Sequence, residues 1–303
     1  MRLLVQPDQS VEPVLEAISS AREQLDMYIF RLAHPRIEEA LAAAVERGVV
    51  VRTLIAHTAN NAEDLLRKLE QRLLALGAAV SRTDEDLVRY HGKLMIVDCR
   101  EIFVLGYNFT RRDIDRSRSL GVATDRPDFV QEAMRLFDAD YNRKIYTPGL
   151  ADFVVSPLNS RSALLALITG AERELLIYDA RLSDNMMQRA LEKMALKGVR
   201  VRVIGKVEKE LQGVEVETYP GNRLHVRAIV QDGRRAFVGS QSLRRAELER
   251  RREIGLIVEE SDIVRQIVEI FETDWANTDR GGPDDSPDTE DESAEDAPVE
   301  RAS

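Results

Sequence analysis

Within residues 13–56, and again within 163–206, apolar positions recur at three- and four-residue spacing, interrupted by short continuous apolar runs. The first pattern predicts amphipathic helices packed by one face; the second, as in "VVVRTLI" and "VRVRVI", predicts buried β-strands. Each stretch therefore reads helix, strand, helix, glycine, strand. Gly48 and Gly198 fall where a helix ends and the chain must turn, the usual place for a glycine C-cap. A further amphipathic helix is expected over 61–77, where the later stretch has only "VEKELQGVE".

The two stretches are copies. At an offset of 150, Pro7 meets Pro157, Tyr28 meets Tyr178, Arg31-Leu32 meets Arg181-Leu182, and Arg52 meets Arg202. Beyond the extra helix the offset becomes 134: His91 meets His225, Asp98 meets Asp232, Gly121 meets Gly255, and Phe137 meets Phe271. A duplicated α/β unit follows, with copies over 1–147 and 151–276 and Pro148-Gly149 at the join. The fold class is α/β: two tandem units, each a mixed β-sheet flanked by helices, related by a pseudo-twofold.

The duplication singles out two histidines of four. "YHGKLMIVD" (90–98) and "LHVRAIVQD" (224–232) each carry a cation two residues after the histidine and an aspartate seven after it. Asp232-Gly233 signals a tight hairpin turn, so each histidine is expected to head the first strand of a β-hairpin, with the cation on its face. Asn108 and Ser242 both lie 17 residues after their histidine, and Ser119 and Glu253 both lie 28 after. His34 and His57 align with Asp184 and Val207; His34 is expected as a polar helix cap and His57 as a loop residue.

Composition narrows the class. A hydrophobic content of 44% fits a globular chain with proper cores. The single cysteine, Cys99, excludes an internal disulfide and fits a reducing compartment. With no secretory leader and no apolar run near the roughly 18 residues that span a bilayer, a cytoplasmic protein is expected. Of the formal net charge of −10, residues 277–303 contribute −8, and that Pro-, Ser- and Gly-rich stretch is expected to be a disordered acidic tail.

Two histidines from two copies, met at an interface, are suited to phosphodiester chemistry. One can attack phosphorus to form a phosphohistidine, while the other protonates the leaving alcohol and then deprotonates the incoming water or alcohol. Lys93 and Arg227 would hold the non-bridging oxygens, and Asn108 and Ser242 would donate neutral hydrogen bonds. A carboxylate such as Glu253 would fix a histidine tautomer. Asp98 and Asp232 are expected to hold the turns. A metal site is disfavoured, because cations beside both histidines would repel one; no cofactor is expected.

These residues resemble the phospholipase D superfamily, whose signature is His-x-Lys-x4-Asp followed by Gly-Ser-x-Asn. The first copy matches at His91, Lys93, Asp98 and Asn108, but has Leu105-Gly106 for Gly-Ser and Ser119 where the family often has glutamate. The second matches at His225, Asp232, Gly239, Ser240 and Glu253, but has Arg227 for lysine and Ser242 for asparagine. The resemblance implies His91 as nucleophile and His225 as acid/base. Of the two copies only that of His225 keeps a glutamate, which leaves these roles open.

The family spans lipid and nucleic-acid chemistry. Arginines cluster after each hairpin (111, 112, 116, 118 and 244, 245, 250, 251, 252), either near the site mouth or as a solvated helix face balanced by Glu247 and Glu249. Arg118 and Arg252, with Ser240, are the expected substrate contacts. An aromatic content of 5% offers no stacking platform for nucleic acid. The reading is a phosphodiesterase or phosphatidyltransferase, docking peripherally at the inner membrane to reach a phospholipid. A nuclease, or a degenerate binder of phosphate or anionic lipid, is the alternative. The assembly expected is a monomer with an internal pseudo-dimer.

Overall fold

The computed structural model describes residues 1–57, 63–219, 221 and 223–278. Among these residues the two copies form two seven-stranded mixed sheets of the same plan. The first runs Arg2–Gln6, Ser119–Thr124, Glu101–Leu105, Leu94–Val97, Gln24–Ile29, Val50–Ile55, Ala79–Arg82; the second runs Phe153–Val155, Ile254–Val258, Arg235–Gly239, Arg227–Gln231, Glu174–Leu182, Arg200–Val207, Val214–Glu217. In each, the last three strands are parallel and the rest antiparallel.

The helix–strand–helix–strand units expected from the pattern are present. Helices Pro35–Glu46 and Asn185–Leu196 both end before a glycine with φ near 90° (88° at Gly48, 89° at Gly198), where a Cβ would be strained. The extra amphipathic helix runs Glu63–Ala75 and buries Leu66, Leu69 and Leu73. Its expected start at 61–62 lies outside the described residues, as does the acidic tail from residue 279. No described helix is long and apolar enough to cross a membrane.

Among the described residues three apolar cores result. One lies under the helices of each copy: Ile18, Ile37 and Leu69 in the first, Ile168, Leu191 and Met194 in the second. The third is shared, joining Tyr28, Tyr90, Phe129 and Phe137 of the first copy to Phe153, Tyr178, Ile254 and Phe271 of the second. This continuous apolar contact makes the two copies one body.

Two expectations need correction. His91 and Lys93 do not open the strand ladder; it begins at Leu94, so both sit on the connection leading into it. His34 occupies the cap position of helix Pro35–Glu46 but its side chain makes no cap hydrogen bond. Pro35 at the first helical position removes one donor that would need a cap, and the His34 carbonyl accepts from the Ile37 and Glu38 N–H groups. His57 follows the strand Val50–Ile55, outside the ladder.

Candidate active site

Each hairpin turns on two residues of positive φ: Asp98 and Cys99 (50° and 55°), and Asp232 and Gly233 (55° and 65°). Asp, like Asn, tolerates this conformation, and its carboxylate is then free to bond locally. Asp98 accepts from the backbone N–H groups of Arg22, Glu23 and Gln24, and Asp232 from those of Glu172, Arg173 and Glu174. Both aspartates thus tie a hairpin to the start of the neighbouring central strand, away from the histidines. Cys99 is a free, exposed thiol.

At the other end of the hairpins the copies meet reciprocally. The His91 N–H donates to the Arg252 carbonyl at 2.8 Å, and the His225 N–H to the Arg118 carbonyl at 2.9 Å. The residue after each arginine, Glu253 or Ser119, is thereby carried across the interface to the other copy's histidine. Both Glu253 oxygens lie 2.9 Å from His91 Nδ1. Glu253 therefore serves His91, the histidine of the other copy, and not His225 as the linear motif implied.

Lys93 Nζ sits 3.0 Å from His91 Nε2 and 2.9 Å from Nδ1, and is completely buried. Burial pushes this ammonium down to about 7, against the pull of Glu253. Burial, reinforced by Lys93 and Arg251, holds the His91 imidazole well below its ordinary value, so the ring is neutral at physiological pH. Burial also raises the Glu253 carboxyl, while Lys93 opposes the rise. Phe30 packs edge-on against His91, ring centroids 4.4 Å apart.

The second side is built differently. Arg227 donates from Nε to Ser242 Oγ at 3.3 Å and from Nη1 to the His225 carbonyl at 3.3 Å. His225 is 6% exposed, and burial followed by Arg227 lowers its imidazole well below the ordinary value. Its Nδ1 has no hydrogen-bond partner; the Asp113 carboxylate stands 3.7 Å away. Asn108 donates from both its backbone N–H and its Nδ2 to Asp113 Oδ2, at 2.9 and 2.7 Å. The equivalent Ser242 N–H donates to Glu247.

His91, Lys93, Asn108, His225, Arg227, Ser242 and Glu253 are all buried in this region. Three expected substrate contacts are otherwise engaged. Arg252 forms a bidentate pair with Asp140, and Arg118 pairs with Asp274 and Asp8. The Ser240 hydroxyl bonds the Ile254 backbone and supports Glu253. Of the arginines following the second hairpin, Arg244 and Arg251 are 1% and 0% exposed, each ion-paired with the buried Glu247, whereas Arg245 lies on a solvated face, paired with Glu249 as expected. Asp113 and Phe30 are not singled out by the sequence motifs, and Arg251 is placed there only within an arginine cluster. Asp113 had a legible signal, since it aligns with Glu247 at the same offset of 134 as the histidines. No group of three or more His, Cys, Asp or Glu among the described residues could hold a metal ion.

A duplicated α/β unit that joins two histidine–cation motifs across one interface defines the phospholipase D superfamily. Residues 14–141 and 164–275 each match the family model described as "Cardiolipin synthase, PLD-like domain", and the chain belongs to that family. It is similar to cardiolipin synthase 1 of Bacillus anthracis, 22% identical over 91% of this chain and 66% of that protein. It is also similar to human mitochondrial cardiolipin hydrolase, 27% identical over 45% of this chain and 51% of that protein. The chain thus spans between half and two thirds of these relatives. Among solved structures, phosphatidylserine synthase of Haemophilus influenzae superposes with a TM-score of 0.65 at 12% identity, covering 92% of this chain and 86% of that one. Polyphosphate kinase of Porphyromonas gingivalis superposes with 0.76 at 18% identity, covering 91% of this chain and 47% of that one. At such identities these two likenesses establish the fold.

Proposed function

We propose that the chain is a phosphodiesterase or phosphatidyltransferase that acts on a phospholipid through a phosphohistidine on His91. The observation that carries the assignment is Glu253 at Nδ1 of His91. A carboxylate there takes the Nδ1 proton's hydrogen bond and leaves the Nε2 lone pair to attack once Lys93 Nζ, 3.0 Å from it, has turned to the phosphate. Low basicity in the free site keeps that lone pair unprotonated. As the Nε2–P bond forms, the ring becomes cationic and Glu253 is in place to balance it.

The P–O bond to the leaving alcohol breaks in the same step, and His225, neutral in the free site and protonated only once the anionic phosphate is bound beside it, gives that oxygen its proton. Water or a second alcohol then loses its proton to His225 and attacks phosphorus, and the P–N bond breaks to restore His91. Lys93 and Arg227, with Asn108 and Ser242, would hold the non-bridging oxygens; Arg227 can use two parallel N–H groups where lysine has a point charge. Asp98 and Asp232 stay structural, and no step requires a metal or cofactor. The family match, and relatives named for making or cleaving cardiolipin, favour a phosphatidyl group as the unit transferred.

The test is intact-protein mass spectrometry after brief incubation with phosphatidylglycerol or bis(p-nitrophenyl) phosphate, quenched at alkaline pH. An adduct of phosphatidyl or aryl-phosphoryl mass is expected in the wild type, and the aryl-phosphoryl adduct, whose leaving group needs no proton, should accumulate in His225→Ala. It should be absent from His91→Ala. The reverse pattern would make His225 the nucleophile, and no adduct or turnover on any substrate would leave a binding protein.

A further inference from the structure

The two histidines are equivalent by sequence but not by support. Glu253 clamps His91 through both oxygens, whereas its counterpart on the other side is Ser119, whose side chain is too short to do the same. Ser119 is fully buried and its hydroxyl has no hydrogen-bond partner; His225 Nδ1 is likewise buried and unpartnered. The reciprocal backbone bonds, His91 to Arg252 and His225 to Arg118, put Ser119 where a glutamate would have reached His225. The place of the second carboxylate is thus kept by the backbone and vacated by the side chain.

A different carboxylate approaches the same nitrogen. Asp113, from the short helix Arg111–Arg116, brings Oδ2 to 3.7 Å from His225 Nδ1. It is held there from three directions: the Asn108 N–H and Nδ2 on Oδ2, and Arg223 Nη1 on Oδ1 at 2.5 Å. Thr110 caps the helix by accepting from the Asp113 N–H. The carboxylate is therefore built in place, just beyond hydrogen-bond length of the neutral ring but within ion-pair reach of a charged one.

We infer that Asp113 is the positioning residue of His225, substituting for the glutamate that Ser119 has displaced, and that it stabilises the imidazolium His225 forms each time it carries a proton. The other charges facing His225 are Arg227, Arg223 and Lys93, all cationic, so Asp113 is the one opposing charge among those that act on it most. The looser contact suits the role. A nucleophile needs one fixed tautomer, whereas an acid/base must gain and lose a proton within each turnover. This inference rests on the roles proposed above, but its electrostatic part can be read without turnover.

The experiment is an NMR titration of 15N-imidazole-labelled protein, comparing wild type, Asp113→Asn, Ser119→Glu and the double variant. Asp113→Asn should lower the His225 pKa and leave His91 unmoved; adding Ser119→Glu should restore it. Ser119→Glu alone, which keeps every contact of Asp113, should raise it, so the inference stays testable if Asp113→Asn folds poorly. An unchanged His225 in Asp113→Asn and Ser119→Glu would overturn the inference.

The kinetic arm uses bis(p-nitrophenyl) phosphate, whose leaving group needs no proton. In Asp113→Asn the first p-nitrophenolate should still be released as a fast burst, with later turnovers slowed on the order of 100-fold. The double variant should recover steady turnover. Equal slowing of burst and turnover would mark a merely structural residue and overturn the positioning role. A wild type inert on every substrate, with the His225 shifts present, would support the Asp113–His225 pairing and remove the enzymatic reading alone.

Discussion

Arg252 grips Asp140 across the interface between the copies, with Nε and Nη2 each 3.0 Å from a carboxylate oxygen, and Arg118 makes the reciprocal contact to Asp274 at 3.0 Å. Each aspartate also accepts from a buried tyrosine, Asp140 from Tyr28 and Asp274 from Tyr178. These arginines carry, on their backbones, the carbonyls that receive the histidine N–H groups. They fasten the site together and are already saturated by protein carboxylates.

Removing one partner of a buried, hydrogen-bonded ion pair leaves the other charge unpaired, which typically costs about 3–5 kcal/mol. Arg252→Met should lower stability by about that amount, and Arg118→Met by less, because Arg118 is partly exposed and shares its charge with the exposed Asp8. Urea unfolding midpoints check this. At temperatures where both variants stay folded, KM should be unchanged. A raised KM without lost stability would return the two arginines to phosphate binding.

Lys93 sets the alkaline side of the pH profile. Burial brings its ammonium down to about 7, so in the free enzyme the charge that would hold the phosphate is lost as pH rises through that region. The kcat/KM on a phosphodiester should therefore fall above pH ~7. Bound anionic substrate favours the ammonium, so the limb in kcat should lie at higher pH. Lys93→Arg, which copies the natural Arg227, keeps its charge and should abolish the alkaline limb. On the acid side activity should persist well below pH 6.5, because burial keeps His91 unprotonated there. A Lys93→Arg profile that still falls near pH 7 would assign the limb to another group.

Asp98 and Asp232 should affect stability, not chemistry. Burial raises each carboxyl, but the three backbone N–H donors more than reverse this and hold both below the ordinary range. A depressed folded-state value contributes stability that is present above the unfolded pKa of about 3.9 and disappears as pH falls through the folded one. Asp98→Asn and Asp232→Asn keep the tolerance for positive φ and should each cost about 1 kcal/mol near neutrality. The difference from wild type should vanish toward acid pH, as thermal melts across pH would record. Adduct formation on the folded fraction should be normal.

The duplication, the mixed sheets and the two hairpins were legible because they depend on order along the chain. Apolar period, the Asp-Gly turn and matched offsets all survive in one dimension. Cross-copy partnership was not. An offset of 134 aligns Glu253 with Ser119 and Arg252 with Arg118, yet it cannot say that both pairs pass over the interface to serve the opposite histidine. Reading Glu253 as the partner of His225 followed from assuming that each motif is self-contained. Arg118 and Arg252 looked available because their partners, Asp274 and Asp140, lie 156 and 112 residues away in sequence. What charge patterning cannot supply is which charges find one another during folding.

Gly106 makes the last prediction, because motif and packing disagree there. It stands where the family signature has serine, and its counterpart in the second copy is Ser240. Restoring serine looks like repair. A Cβ at Gly106, however, would lie 2.7 Å from the Leu120 carbonyl oxygen and 3.0 Å from that of Gly239, both backbone atoms. The Leu120 carbonyl also accepts the Gly106 N–H at 2.9 Å, so neither chain can retreat without breaking a bond that joins strands. Gly239 belongs to the opposite copy, and any shift would pass directly into the interface that seats the histidines. Gly106→Ser should therefore destabilise by about 1–3 kcal/mol, the usual cost of overpacking, and lower phosphohistidine formation at the same time. Differential scanning calorimetry with the adduct assay would decide it: a stable, more active Gly106→Ser would mean that the interface yields where its backbone contacts say it should not.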